Sequence, residues 1–163
     1  MTRWFPGEGR DADDEAFLAE LRVCAEARGL IDATPDDTRL HVWENALVAL
    51  IAVPGLQETP AQPVLEVVFR KRGLMAGVET YNHLVDAYEE MDLAGVELTP
   101  RGLARHAFAW FRSELEGSIE RATWRTWRGE RSVLRYADTE QPIWGHAPRK
   151  FRNRPPDRTE RLR

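Results

Sequence analysis

Glu79, His83, Asp86 and Glu90 fall at i, i+4, i+7 and i+11, a spacing that on a helix would stack four metal- or proton-binding groups along one stripe. Val78, Tyr81, Val85 and Tyr88 take the opposite arc of the same wheel, with Leu84 and Met91 alongside them. The polar stripe therefore reads as the solvated face of an amphipathic helix spanning Val78–Met91. No cysteine pair and no HExxH spacing accompanies it, so the sequence supplies neither a metal site nor a cofactor site.

Two other residues could take part in chemistry. His106 stands at the edge of an apolar helical arc, one turn before Trp110, where an imidazole could act as acid or base near neutrality. No nucleophile or carboxylate is fixed beside it by sequence, so its ordinary role is a hydrogen-bonded residue at the core boundary. Cys24 shares a helix face with Phe17, Leu18, Leu21 and Ala25, and reads as a buried, inert thiol. Neither phosphate-cradling loop, GxGxxG or GxxxxGK[ST], is present, and there is no GxSxG elbow.

The strongest pattern is a cluster of arginine and tryptophan, "TWRTWRGERSVLRY" from Thr123 to Tyr136. Strand alternation sends Arg121, Thr123, Arg125 and Trp127 to one side and Ala122, Trp124, Thr126 and Arg128 to the other. One tryptophan would pack inward and the other would stand among arginines. There it could cover a strand by cation–π contact, stack on a base, or anchor a protein interface. Downstream, Arg149, Lys150, Arg152 and Arg154 open a stretch with too few apolar residues to order itself, suited to phosphates or to an acidic protein surface.

These residues are positioned by elements legible in the chain. Asp11–Arg28 is a helix, with acids in its first turn and Gly29 after its end. Leu40, Trp43, Leu47, Leu50 and Ile51 recur at helical spacing up to Pro54–Gly55 and predict a second helix. Val64–Arg70 is β-branched and aromatic, a strand. Val78–Met91 is the third helix. Thr99 as N-cap and Pro100 as first residue begin a fourth, reaching about Glu116 and turning Leu103, Ala104, Ala107, Phe108, Trp110, Phe111 and Leu115 inward. A hairpin turning at Gly129–Glu130 follows, with a short third strand near "IWGH". Leu93–Phe108 could pass for a helix–turn–helix, but its linker is long and the preceding residues are acidic.

The expected fold is α+β, about four helices packed on one face of a small antiparallel sheet whose hairpin or meander lies at the C-terminal side. Residues 1–10 read as an extended lead-in, 11–146 as one domain, and 147–163 as a basic, flexible tail. The single cysteine fits a reducing, cytoplasmic setting, and no stretch has the length or hydropathy of a signal peptide or a membrane span.

Charge is divided along the chain. Residues 1–120 hold 11 basic and 22 acidic side chains, and residues 121–163 hold 12 and 5. Arginine makes up 21 of the 23 basic residues, a bias that GC-rich coding alone could produce.

These features point to a small non-catalytic binding or regulatory protein. It would present Arg125, Arg128, Arg149, Lys150, Arg152 and Arg154 to an acidic macromolecule, nucleic acid or protein, without a membrane. A homo-oligomer is compatible with the sequence. Two alternatives stand beside that reading. One is a small enzyme with a pocket lined by Trp110, Trp124 or Trp127 and His106 as acid or base. The other is an immunity-type inhibitor whose acidic body masks a basic toxin.

Overall fold

The computed structural model describes residues 3–43, 45–56, 63–71, 73–80, 88–140, 142–144 and 154–162. Helix α1, Ala12–Arg28, starts where the Asp11 carboxylate accepts the backbone N–H groups of Asp13 and Asp14. It ends at Gly29, whose φ of 65° admits the left-handed turn. The first sheet is a meander of five strands: β1 (Thr38–Trp43), β2 (Ala46–Ala52), β3 (Pro63–Arg70), β4 (Gly73–Thr80) and β5 (Glu89–Glu90), each antiparallel to the next. Helix α2, Pro100–Glu116, begins at Thr99, whose hydroxyl accepts the Gly102 N–H. A second antiparallel sheet follows, made of β6 (Ile119–Thr126), β7 (Gly129–Tyr136), β8 (Pro142–Trp144) and β9 (Arg158–Arg161), in the order β8-β7-β6-β9.

The expectation of four helices on one face of a small sheet is wrong. Among the described residues there are two α-helices and two antiparallel sheets. The segment from Leu40 to Ile51 is a hairpin, β1–β2, rather than a helix, with Trp43 paired to Ala46 at its closed end. "ALVALIA" is buried along almost its whole length because both faces of β2 are covered, and a short apolar run of that kind shows the same residues to helical and strand templates. The predicted helix Val78–Met91 also fails at both described ends, since Val78 belongs to β4 and Glu89–Glu90 is β5. Residues 81–87 lie outside the described residues. The helix–turn–helix reading loses its first helix with it.

The strand at Val64–Arg70, the helix at Asp11–Arg28 and the helix capped by Thr99 stand where the sequence puts them, to within a residue. The C-terminal hairpin also forms, although it turns at Trp127–Arg128 rather than at Gly129–Glu130.

The core is a helix layer on a sheet. Phe17, Leu18 and Leu21 of α1 and Leu103, Ala107 and Phe111 of α2 are sealed against Leu47, Ala49, Ile51, Leu65, Val67 and Phe69. Phe17 stacks on Phe69 with ring centroids 4.4 Å apart. The lead-in is pinned to this layer. Phe5 is fully buried, and the Arg22 guanidinium donates to the carbonyls of Trp4, Phe5 and Gly7. Gly102 is required by close approach, because a Cβ there would stand 2.1 Å from the Glu97 carbonyl oxygen.

Among the described residues the second sheet joins this core at its base. Ile119 is buried in it, Tyr136 and Leu162 pack on it, and the Tyr136 hydroxyl donates to the Glu114 carboxylate on α2. Beyond that base, Ala122, Trp124 and Val133 form a small cluster of their own.

A candidate interaction site at the hairpin tip

The connection between β6 and β7 is two residues long, Trp127–Arg128, and is held by its flanks. The Thr126 hydroxyl donates to the Gly129 carbonyl at 2.7 Å and accepts the Arg128 N–H at 3.2 Å, while Gly129 takes a φ of 113°. This lock presents Trp127 to solvent with 86% of its surface exposed. The Arg128 guanidinium carbon lies 4.4 Å from the indole centroid, a cation–π contact that covers the ring without burying it.

Trp124, three residues earlier, has the opposite fate. It is 3% exposed, and its indole N–H donates to the Arg154 carbonyl at 3.1 Å. Arg125 is 82% exposed at its side chain, with a loose 3.7 Å pairing to Glu130. Arg131, opposite Trp124 in the register, is exposed as well, and neither it nor Arg128 has a carboxylate partner among the described residues. The tip is thus one apolar ring among three solvent-facing guanidinium groups.

Much of the remaining arginine is used internally. Arg121 pairs with Glu160 at 3.3 Å, Arg135 with Glu120 at 2.6 Å, and Arg154 with Asp157. Asp157 also accepts the Arg125 backbone N–H at 2.6 Å. That bond first, and Arg154 after it, hold its carboxyl below the usual range. The expected flexible tail is in part a strand, since Arg158–Arg161 pairs along β6 from Thr123 to Glu120. Within the described part of that stretch Arg154 pairs with Asp157, and the Arg161 guanidinium donates to the Ser118 hydroxyl. Arg149, Lys150 and Arg152 lie outside the described residues.

The other predicted residues do not converge. Trp110 tilts against Phe111 at the rim of the main core, Trp124 sits in the second sheet, and Trp127 is at the tip, so the three line no common pocket. His106 is half-buried on α2 without a hydrogen-bond partner for its imidazole among the described residues. A cleft of about 320 Å³ opens elsewhere, bounded by Arg70, Leu74, Met75, Glu90 and Met91.

On α2, Arg105 bridges Glu20 and Glu97, and Arg112 pairs with Glu116, so both guanidinium groups have carboxylate partners. Burial pushes the Cys24 thiol up, as the inert reading requires. Glu79 and Glu90 lie on β4 and β5, and His83 and Asp86 lie outside the described residues. Among the described residues no three His, Cys, Asp or Glu side chains gather closely enough to hold a metal ion. No described helix is long and apolar enough to cross a membrane.

Sequence reasoning singled out Trp124, Trp127, Arg125 and Arg128 as binding candidates, and did not foresee the Thr126–Gly129 lock or the role of Asp157. A Thr-x-x-Gly flank around the most polar point of the hairpin was the available signal for the first. Comparison with protein-family models, curated proteins and solved structures returns no match for this chain.

Proposed function

We propose that this is a non-catalytic binding protein that docks on an acidic partner protein through the β6–β7 tip. Trp127 is the anchor, and Arg125, Arg128 and Arg131 meet carboxylates at the rim of the recess that receives it. The observation that carries this reading is Trp127 itself, a large aromatic held in water by a locked turn. Tryptophan and arginine dominate the residues whose removal costs an interface most.

A polyanionic nucleic acid fits less well. Of the segment that would track its backbone, Arg158–Arg161 runs along β6, and Glu130, Asp157 and Glu160 stand among the arginines. The tip also exposes one aromatic ring, where single-strand binding relies on successive stacking platforms.

The test is affinity capture from host extract with the wild-type chain, Trp127→Ala and Arg128→Glu, followed by titration of the captured protein at two salt concentrations. Trp127→Ala is expected to weaken binding at least about 30-fold, the size of a 2 kcal/mol anchor, and Arg128→Glu to slow association most at low salt. Single- and double-stranded DNA are titrated in parallel. Salt-sensitive DNA binding that disappears when residues 147–163 are removed would replace this reading with the nucleic-acid one. Capture indifferent to Trp127 would end it.

A further inference from the structure

The first sheet has one outer strand of substantial length. β5, at its far edge, is two residues, both glutamate, and in the second sheet β8 has three residues and β9 reads Arg-Thr-Glu-Arg. Short or charged edges of this kind resist pairing with another chain. β1 is different, with six residues ending in Val42 and Trp43, which are 49% and 42% exposed.

The register shows which of its backbone groups are open. Val53 N–H donates to the Pro63 carbonyl, so Ile51, Ala49 and Leu47 face β3, and Leu50, Val48 and Ala46 face β1. Their partners Arg39, His41 and Trp43 are thereby occupied, and Leu40 and Val42 point their N–H and C=O groups outward. No hydrogen bond from the described residues reaches those outward groups. The lead-in passes close by without using them. Phe5 N–H donates to the Thr38 hydroxyl, Gly7 packs over the Leu40 side chain, and Arg10 donates to the Trp43 carbonyl.

We propose that two copies of this chain pair antiparallel along β1, with His41 on the two-fold axis. The occupant is a second copy because the strand is complementary to itself in that register. Leu40 meets Val42 of the other copy, and each of these two symmetry-related pairs exchanges both of its N–H···O bonds. On the opposite face Arg39 meets the exposed Trp43 ring, in both directions, as a cross-strand cation–π pair. His41 meets His41 in the close, non-hydrogen-bonded position. The two five-stranded meanders become one continuous sheet. The hairpin tip belongs to the other sheet, so the docking reading stands or falls separately.

The test combines sedimentation velocity with cysteine crosslinking on the full chain. Wild type is expected to approach twice the monomer mass as concentration rises into the high-micromolar range. Under mild oxidation His41→Cys is expected to give a covalent dimer, since facing Cβ atoms across such a pair lie about 4.5–5.5 Å apart, close to disulfide reach. Arg39→Cys should not, because its two copies are about 14 Å apart along the strands. The native Cys24 is buried and does not compete.

Val42→Pro deletes an outward N–H that β2 does not use, and should leave a folded monomer. A wild type that stays monomeric, equal crosslinking by His41→Cys and Arg39→Cys, or a folded Val42→Pro that still dimerises would each overturn the proposal. Should Val42→Pro fail to fold, the crosslinking ratio alone decides.

Discussion

Trp124 and Trp127 have identical side chains three positions apart in one hairpin, and their environments assign them opposite energetics. Replace each by alanine. A tryptophan offers about 200 Å² for burial. Trp127 leaves 86% of its surface in water, so its buried remainder is on the order of 30 Å². At about 25 cal/mol per Å² that stabilises the fold by less than about 1 kcal/mol, and the Arg128 contact adds about 0.5 kcal/mol. Trp124 is 3% exposed, and the same conversion gives about 5 kcal/mol, within the 3–5 kcal/mol range of buried tryptophan truncations. Its indole N–H bond to the Arg154 carbonyl is lost as well, which should loosen the chain around β9.

Urea denaturation followed by circular dichroism reads both. Trp127→Ala is expected within about 1.5 kcal/mol of wild type with an unchanged m-value, and Trp124→Ala at least about 3 kcal/mol less stable. A loss above about 2 kcal/mol for Trp127→Ala would mean that the tip is packed on something and is no docking anchor. A loss under about 1 kcal/mol for Trp124→Ala would refute the placement of the second sheet's core.

Gly102→Ala should cost about 2–3 kcal/mol in the same assay, because the new methyl meets the rigid Glu97 carbonyl, whereas Gly73→Ala, whose new methyl meets the Arg70 carbonyl oxygen only at an ordinary 3.9 Å, should cost less. Asp14 is nearly inaccessible. Burial alone would raise its pKa, but the hydrogen bonds from Arg10 outweigh that and hold it below the usual range. Its contribution is therefore complete above about pH 4 and is lost as pH falls through the lowered value. Asp14→Asn should remove that acid limb and cost about 1–3 kcal/mol at neutrality in pH-dependent melts. Tyr136 is shifted upward, by burial first and by the Glu114 carboxylate second. Its stabilisation should persist below about pH 10 and fade as pH rises through its higher folded value. Tyr136→Phe should lose about 1.5–3 kcal/mol and that alkaline limb together, while spectrophotometric titration of wild type shows a late phenol that Tyr136→Phe removes.

The helices were legible because their signals are local. Asp11, the acids behind it and Gly29 mark α1, and Thr99–Pro100 marks α2, through hydrogen bonds made within a turn of the residues themselves. β3 was legible for a similar reason, its branched side chains being crowded in any other conformation. The division of labour between Trp124 and Trp127 was half legible, since alternation said that they part but not which one is covered.

What the chain could not announce was β2. Ala46–Ala52 is apolar on both faces because the helices cover one side and the other side is buried too, and a segment with no polar face has no period to read. β9 was hidden for the opposite reason. Arg158–Arg161 has nothing apolar to signal a strand, and it is ordered by backbone bonds to β6 and by the packing of Leu162 next to it. Residue types and spacing determined where α1 and α2 begin and end. Which strands pair, which edge stays open and which arginines are already neutralised depended on contacts between residues far apart in sequence, and only the tertiary structure decided them.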